Sequence, residues 1–391
     1  MDDDSSTGGP VRRTATTITQ AGRDPASFHG FVNPPVVRAS TVLYPDVATS
    51  HSRAQRYTYG LSGTPTTDAL CAAMNALEGA EATVLTSSGL SACTLAIASS
   101  VGAGDRLIMV DPVYSPTRRF CDGMLARFGV TTVYVDPLDL AAYEREVALG
   151  AAAVFLEAPG SLTFEVPDVP RMAAIAKSAG ATVMIDNTWA TPLYFRPLEH
   201  GCDLSIHAAT KYLAGHSDLL LGTISGRGGA IARVADARRD FGEGVGPDDV
   251  FATLRGIRTL HVRLPHFERN ARIVAEWLGG DPRVSRVLYP ALPDAPGHAI
   301  WKRDFDGATS LFAITFQGRS EGEVARFVDG LRLFGIGASW GGFESLATMP
   351  PLGKIRTAKR WPDDEPLVRL HVGLEDPADL IEDLDQAMAH L

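Results

Sequence analysis

From residue 82 onward, short runs of β-branched and other apolar residues alternate with longer stretches of helical character. The strand-like runs include residues 106–110, 131–135, 152–157 and 181–186, and helical stretches at 115–127 and 168–179 separate them. Strands that alternate with helices are typical of βαβ units, which form a mostly parallel sheet covered on both faces. Ligands of such sheets bind beyond the carboxyl ends of the strands, so we expect functional side chains there.

The region before this alternation has little periodicity. Residues 1–60 contain turn formers such as Asn33-Pro34-Pro35 and Tyr44-Pro45, which is typical of an extended arm that lies on another part of the molecule. Further along, two strand-like runs at 203–208 and 219–225 flank Lys211.

After residue 253 the pattern changes again. A glycine-rich segment at 242–246, followed by Pro247, predicts a loop near a domain boundary. The remaining elements indicate a smaller α+β domain: a long helix at 258–278, strands at 284–289, 311–316 and 368–372, and a final helix from Pro377. We therefore predict an arm at 1–60, an α/β domain at 61–253 and an α+β domain at 254–391.

Composition narrows the choice of partners. The net charge of -10 disfavours nucleic acid and anionic membranes, because both require a basic surface. No apolar run approaches the roughly 20 residues needed to span a bilayer, and the first ten residues lack the pattern of a secretory signal. Four scattered cysteines suggest buried thiols in a reducing compartment, so we predict a cytoplasmic protein: Cys71, Cys93, Cys121 and Cys202.

Several residues with chemical potential follow predicted strands. Lys211 comes directly after the run at 203–208, where partial desolvation would lower its pKa. Asp186 ends a strand, and residues 87–91 (SSGLS) lie between a strand and a helix, where backbone amides can bind a phosphate. Tyr114 also follows a strand, and the planar fork of Arg369, at the start of a strand in the second domain, suits a carboxylate.

Each of these residues alone also fits a structural role, such as a surface lysine, a helix cap, a core tyrosine or a salt-bridged arginine. Together, however, they match what pyridoxal phosphate (PLP) requires: a lysine for its aldehyde, a carboxylate for its pyridine nitrogen, an anion site and a stacking ring. The ten histidines show no metal-ligand spacing, and for His207 and His216, which flank Lys211, a structural or outer-shell role is favoured. We predict no metal site.

Four ordered motifs resemble the cystathionine lyase and synthase family of PLP enzymes: DNTWA at 186–190, ATKY at 209–212, GHSD at 215–218 and VGLED at 372–376. A second set is most similar to the bacterial cystathionine β-lyases of that family: FLEAPG at 155–160, PALP at 290–293, WKRDF at 301–305 and SWGG at 339–342. The resemblance extends from about residue 14 to the C-terminus. It implies the aspartate-aminotransferase fold, with a mostly parallel sheet in the PLP-binding domain.

The resemblance also implies roles for individual residues. Those at the cofactor are Lys211 as the Schiff-base lysine, Asp186 at the pyridine nitrogen, Tyr114 stacked on the ring, and Gly89, Leu90 and Thr210 at the phosphate. Those at the α-carboxylate of the amino-acid substrate are Arg369, Ser339 and Trp340. In the family, the arm tyrosine, here Tyr59, reaches the site of a neighbouring subunit, so a homo-oligomer, commonly a dimer of dimers, is expected.

The activity that the resemblance implies is β-elimination on cystathionine or a related cysteine S-conjugate, which gives a thiol, pyruvate and ammonia. Its catalytic residues would be Lys211, Tyr114 and Tyr59. Elimination or replacement at the γ-carbon is the alternative within the family. A non-catalytic binding protein of the same fold would not require Lys211, Asp186 and Arg369 together.

One departure from the family concerns the arm. The family often has an arginine one or two positions after the arm tyrosine, for the phosphate or for a distal carboxylate of the substrate. Here the two positions are Leu61 and Ser62, and Arg53 or Arg56 would have to compensate. We therefore hypothesise that the distal end of the preferred substrate is less anionic than that of cystathionine.

Overall fold

The computed structural model describes residues 13–362 and 364–391, and its central feature is a seven-stranded sheet in the order β1-β7-β6-β5-β4-β2-β3. Its strands are β1 (Ala82–Thr86), β2 (Arg106–Val110), β3 (Thr131–Val135), β4 (Ala153–Glu157), β5 (Thr182–Asp186), β6 (Leu204–Ala208) and β7 (Gly222–Gly226). The pairs β2–β3, β2–β4, β4–β5 and β5–β6 are parallel, whereas β7 runs antiparallel to its neighbours β1 and β6. The α/β class and the mostly parallel sheet are thus confirmed.

Strands such as β2 form because they are largely apolar and are covered on both faces. In β2, the four residues Leu107, Ile108, Met109 and Val110 are fully buried, and they alternate between two separate hydrophobic clusters. Such continuous apolar runs are the signature of parallel strands with helices on both sides. The helices of this region are α3 (Pro65–Glu78), α4 (Gly89–Ala98), α5 (Ser115–Phe120), α6 (Leu140–Ala148), α7 (Val169–Ser178), α8 (Thr191–Tyr194), α9 (Gly228–Asp240) and α10 (Pro247–Ile257).

A second, five-stranded sheet lies in the C-terminal part of the described chain, in the order β10-β11-β12-β9-β8. Its strands are β8 (Arg286–Leu288), β9 (Leu311–Thr315), β10 (Gly335–Ile336), β11 (Leu346–Thr348) and β12 (Leu367–His371). Four helices accompany it: α11 (Leu260–Gly279), α12 (His298–Asp304), α13 (Glu321–Asp329) and α14 (Pro377–Ala387). Apolar residues of both sheets belong to one contiguous core. The predicted boundaries at residues 60 and 253 stay a prediction.

A buried ionic network joins the two parts of the chain. Asp111, directly after β2, is fully buried and accepts hydrogen bonds from Arg118 and from Arg356. Arg356 in turn donates to the carboxylate of Glu165 at 3.0 Å. Buried charges are tolerated only when they are paired and hydrogen-bonded, so these contacts hold the segment around residue 356 against the end of β2.

Most predicted strands are confirmed within one residue, and the differences have local causes. The run at 219–225 becomes a strand only from residue 222, because the backbone of Leu221 instead forms hydrogen bonds with the backbone and hydroxyl of Thr210. The helix expected at 115–127 changes to a π-helical turn over Cys121–Leu125. The predicted loop at 242–246 is confirmed, and the unpredicted helix α10 begins directly after it.

The prediction of an extended arm is wrong in part. Its described residues include two short helices, α1 (Thr14–Gln20) and α2 (Val47–Ser52), while residues 1–12 lie outside the described part. Ile18 is fully buried in a cluster with α3, and Arg258 donates hydrogen bonds to the carbonyls of Ile18 and Ala21. The arm therefore does lie on the rest of the molecule, as predicted, but partly as helix. In the described chain, no helix is long and apolar enough to cross a bilayer.

Candidate active site

A cavity of about 190 Å³ opens beyond the carboxyl ends of β2, β4, β5 and β6. Residues of both sheets line it, as expected for a ligand site in an α/β fold. It brings together eight of the residues singled out from the sequence, which are Gly89, Leu90, Tyr114, Asp186, Thr210, Lys211, Trp340 and Arg369.

Lys211 lies three residues beyond β6 and extends its amine into the cavity. Its Nζ donates a hydrogen bond to Ser339 Oγ at 2.7 Å and lies 5.4 Å from the centre of the Trp340 ring. Burial, aided by the positive charge of Arg369 and opposed by Asp186, lowers the pKa of Lys211 to about 8. A lysine in this environment offers an uncharged, nucleophilic amine much closer to neutral pH than a surface lysine does.

Asp186 ends β5 and faces the same cavity. Its Oδ1 accepts hydrogen bonds from the backbone N–H of Thr188 at 3.0 Å and from the Thr188 hydroxyl at 2.5 Å. The Sγ of Cys93 lies 3.6 Å from the other carboxylate oxygen, Oδ2, and burial raises the pKa of this thiol, which keeps it protonated. Thr188 and Cys93 therefore fix the orientation of the carboxylate.

Glu157 is a second acid in the cavity that the sequence analysis did not single out. It ends β4 in register with Asp186 on β5, so the two carboxyl groups are neighbours at the same edge of the sheet. Burial and the charge of Asp186 raise the pKa of Glu157, and its Oε2 accepts the backbone N–H of Tyr114 at 2.7 Å. Its place at the end of a predicted strand, equivalent to that of Asp186, was the signal that could have identified it.

The start of α4 presents backbone amides without intrahelical partners to the cavity. The Ser88 side chain caps this helix by accepting the N–H of Ser91 at 3.1 Å, while the N–H groups of Gly89 and Leu90 have no intrahelical acceptor. Gly89 is required here, because a Cβ atom would lie 2.4 Å from the Cβ of Ala208. Backbone amides at a helix N-terminus are suited to a phosphate.

Thr210 and Tyr114 complete the lining on this side. The Thr210 hydroxyl already exchanges hydrogen bonds with the backbone of Leu221, at 3.1 and 3.3 Å. Tyr114 directly precedes α5, is 44% exposed, and has its backbone held by Glu157. Its ring therefore stands at the cavity wall with room beside it.

Arg369 enters the cavity from β12 of the second sheet. Its Nη2 donates to the carbonyl oxygens of Gly337, Ala338 and Ser339, at 3.4, 2.9 and 3.2 Å. Its buried Nε has no partner, and burial lowers the pKa of the guanidinium to about 10. A buried guanidinium with an unused donor is suited to a carboxylate ligand.

Tyr59 is not brought to this cavity. It lies in the arm, half exposed, where it forms an isolated antiparallel bridge with Thr41. The same holds for the two arginines considered as compensation: Arg56 pairs with Asp68, and Arg53 lines a separate groove beside α3. The expectation that Tyr59 serves the cavity of a neighbouring subunit stays a prediction.

A lysine and two acids at the carboxyl edge of a mostly parallel sheet define an α/β enzyme site, and comparisons with known proteins identify its family. The sequence model of the Cys/Met metabolism PLP-dependent enzymes matches residues 15–389. The chain is 49% identical to a putative cystathionine β-lyase of Rhizobium johnstonii, over 96% of this chain and 95% of that one. It is 39% identical to the cystathionine β-lyase of Escherichia coli, over 97% and 99% of the two chains.

Solved structures agree. The crystal structure of cystathionine γ-synthase from Xanthomonas oryzae, in complex with aminoacrylate and cysteine, superimposes with a TM-score of 0.90 at 31% identity, over 97% of this chain and 98% of that one. The chain therefore belongs to the family of Cys/Met metabolism PLP-dependent enzymes, and PLP is its cofactor.

The cavity itself fits this cofactor. It offers a lysine amine of lowered pKa for the aldehyde, a fixed carboxylate for the pyridine nitrogen, and free first-turn amides for the phosphate. Within the described residues, no cluster of side chains could hold a metal ion.

The lowered pKa of Lys211 predicts the pH dependence of PLP uptake. Only the neutral amine attacks an aldehyde, so the rate at which PLP-depleted protein regains its visible absorption should rise with pH through about 8 and then level off. An ordinary lysine would give a midpoint of about 10.4. Lys177→Ala, which removes an exposed lysine, should leave the profile unchanged. A rise only above pH 10 would contradict the described environment of Lys211.

Proposed function

We propose that this chain is a carbon–sulfur lyase that catalyses β-elimination on cystathionine or a related cysteine S-conjugate, with release of a thiol, pyruvate and ammonia. The observation that carries the proposal is the convergence of Lys211, Asp186 and Arg369 on one cavity. These three side chains are what an amino-acid-converting PLP enzyme needs: a base, a partner for the cofactor ring and a carboxylate anchor. Bound PLP supplies the electron sink that makes the α-proton of an amino acid acidic.

Lys211 is proposed to hold the cofactor aldehyde and, once an amino acid has entered, to remove its α-proton with Nζ. The pKa of about 8 leaves a usable fraction of the amine unprotonated near neutral pH. Ser339 Oγ, 2.7 Å from Nζ, restricts the amine to one direction. The proton taken up by Nζ is then available for return within the same cavity.

The remaining residues bind and orient. Asp186 is proposed to hold the pyridine nitrogen protonated, and Tyr114 to stack on the ring. Gly89, Leu90 and Thr210 are proposed to bind the phosphate, the first two through backbone N–H groups. Glu157 accepts the backbone N–H of Tyr114, and its raised pKa, caused by burial and by the charge of Asp186, disfavours a second negative charge at this edge of the sheet.

Substrate recognition is assigned to the second sheet. Arg369 is proposed to bind the α-carboxylate, since its Nε is buried without a partner and a carboxylate would satisfy it. Ser339 and Trp340 both lie close to the Lys211 amine and are proposed to border the same carboxylate.

The assignment to β-elimination is supported by the relatives named cystathionine β-lyase and by the SWGG motif at 339–342. γ-Elimination or γ-replacement is the second candidate, favoured by the structural similarity to a cystathionine γ-synthase. Tyr59 is exposed and lies outside the cavity of its own chain, which supports a homo-oligomer with shared sites, proposed to be a dimer of dimers. The free cysteines support a cytoplasmic location.

The keto-acid product distinguishes these reactions. We expect PLP-loaded enzyme to release pyruvate from L-cystathionine, identified by chromatography of the hydrazone, because β-elimination leaves a three-carbon product. Lys211→Ala should abolish release, and Lys177→Ala, at an exposed lysine, should not change it. Formation of 2-oxobutyrate would instead assign γ-elimination.

The part of the cavity that this chain itself forms favours a substrate with an uncharged distal end. Among its described lining residues the cations are Lys211 and Arg369, and both already have roles at the α-carbon. The rest of the wall is largely apolar, with Leu162, Phe164 and Leu220. We therefore expect kcat/KM for L-cystathionine and for an uncharged S-alkylcysteine of equal length to agree within about tenfold, a gap of about 1.4 kcal/mol. A preference for cystathionine of a hundredfold or more would show that a distal carboxylate is recognised.

A further inference from the structure

Residues 337–342, which we call the covering segment, cross directly over Lys211. Ser339 Oγ accepts the hydrogen bond of Lys211 Nζ, and the Tyr212 and Trp340 rings lie 5.3 Å apart. Gly341, at a φ of +86°, approaches so closely that a Cβ atom would lie 2.8 Å from the backbone nitrogen of Tyr212. The position of Lys211 and the position of the covering segment are therefore coupled.

The first half of the covering segment is held by Arg369, which donates to the carbonyls of Gly337, Ala338 and Ser339. All three hydrogen bonds use Nη2 of the same guanidinium that is proposed to bind substrate. The side chain that holds this half of the segment is therefore also the one proposed to bind the ligand. A second anchor holds the other half.

That second anchor is His371, two residues further along β12 and hence on the same face of the strand as Arg369. The N–H of Gly341 lies 3.1 Å from His371 Nε2, and the carbonyl oxygen of Gly342 lies 3.1 Å from the same nitrogen. His371 is fully buried and is not among the residues that line the cavity. It thus contacts the second half of the covering segment from outside the cavity.

The other ring nitrogen of the imidazole has a partner as well. His371 Nδ1 lies 2.7 Å from Ser310 Oγ, which lies 2.8 Å from the hydroxyl of Tyr212. The N–H of Ser310 also donates to that hydroxyl, at 3.1 Å. These hydrogen bonds form a buried chain. It starts at Tyr212, the residue after Lys211, and runs through Ser310 and His371 to the covering segment.

Each neutral tautomer of His371 keeps the contact with Ser310 and one of the two contacts with the covering segment. With the proton on Nε2, the ring donates to the Gly342 carbonyl and accepts the Ser310 hydroxyl; with the proton on Nδ1, it donates to Ser310 and accepts the Gly341 N–H. Burial, together with the positive charges of Arg369 and Lys211, lowers the pKa of His371 to about 3. The ring therefore stays neutral and acts by position.

We infer that His371, supported by Ser310 and Tyr212, is a positioning residue that holds the covering segment against Lys211, so that Arg369 and Ser339 meet the substrate α-carboxylate in one geometry. This inference rests on the proposed binding of an amino acid at Arg369, and it applies to any amino acid, whether or not it carries a leaving group.

The test compares three variants of the PLP-loaded enzyme. His371→Leu removes both hydrogen-bonding nitrogens at similar volume, and His371→Gln restores a donor and an acceptor near the position of Nε2. Leu370→Ala is the matched control, because Leu370 is equally buried on the adjacent strand position but points to the opposite face. Glycine, which has no leaving group, is the probe, and its affinity is read from the change in the visible spectrum of the bound cofactor.

We expect His371→Leu to weaken glycine binding about tenfold or more, by analogy with the loss of outer-shell partners at metal sites. His371→Gln should recover affinity to within about threefold of the parent protein, and Leu370→Ala should lower the melting temperature while changing glycine affinity by less than about twofold. Unchanged glycine affinity in His371→Leu, or an equal loss in Leu370→Ala, would overturn the inference. Because the readout needs no elimination, an error in the proposed reaction would leave this result interpretable.

Discussion

The structure depends on the burial of one lysine amine at the edge of the parallel sheet, which lowers the pKa of that amine. An ammonium group is costly to bury, so burial favours the neutral amine of Lys211, and the positive charge of Arg369 acts in the same direction. The negative charge of Asp186 opposes both of these effects, and the resulting pKa of Lys211 is about 8. The balance requires three side chains from two sheets at fixed separations, and much of the fold serves to maintain them.

The two sheets reach this arrangement through contacts that span the sequence. The covering segment, from the C-terminal part of the chain, lies on Lys211. The Asp111–Arg356 pair holds another C-terminal segment to the end of β2. The cavity wall includes Leu162 and Phe164, both at positive φ. Non-glycine residues in that region are strained, and they persist only where the surrounding structure holds them.

The sequence predicted the part of the site that depends on local pattern. Lys211 and Asp186 each follow a recognisable strand, and the small residues before α4 signal its anion site, so the parallel-sheet rule places them at one edge. Glu157 obeys the same rule and was missed. His371 could not be found in this way, because its role arises from contacts with Ser310 and Gly341, 61 and 30 residues away in the chain. The two arm helices were missed because their stability comes from packing and capping rather than from periodicity.

The most direct test of the central assignment identifies the lysine that binds the cofactor. The chain has five lysines, at positions 177, 211, 302, 354 and 359. Borohydride reduction of the PLP-loaded protein fixes the cofactor to its lysine, and peptide mass spectrometry then locates the modification. We expect stoichiometric labelling of the peptide that contains Lys211 and none elsewhere. Labelling of any other lysine, with Lys211 unmodified, would contradict it.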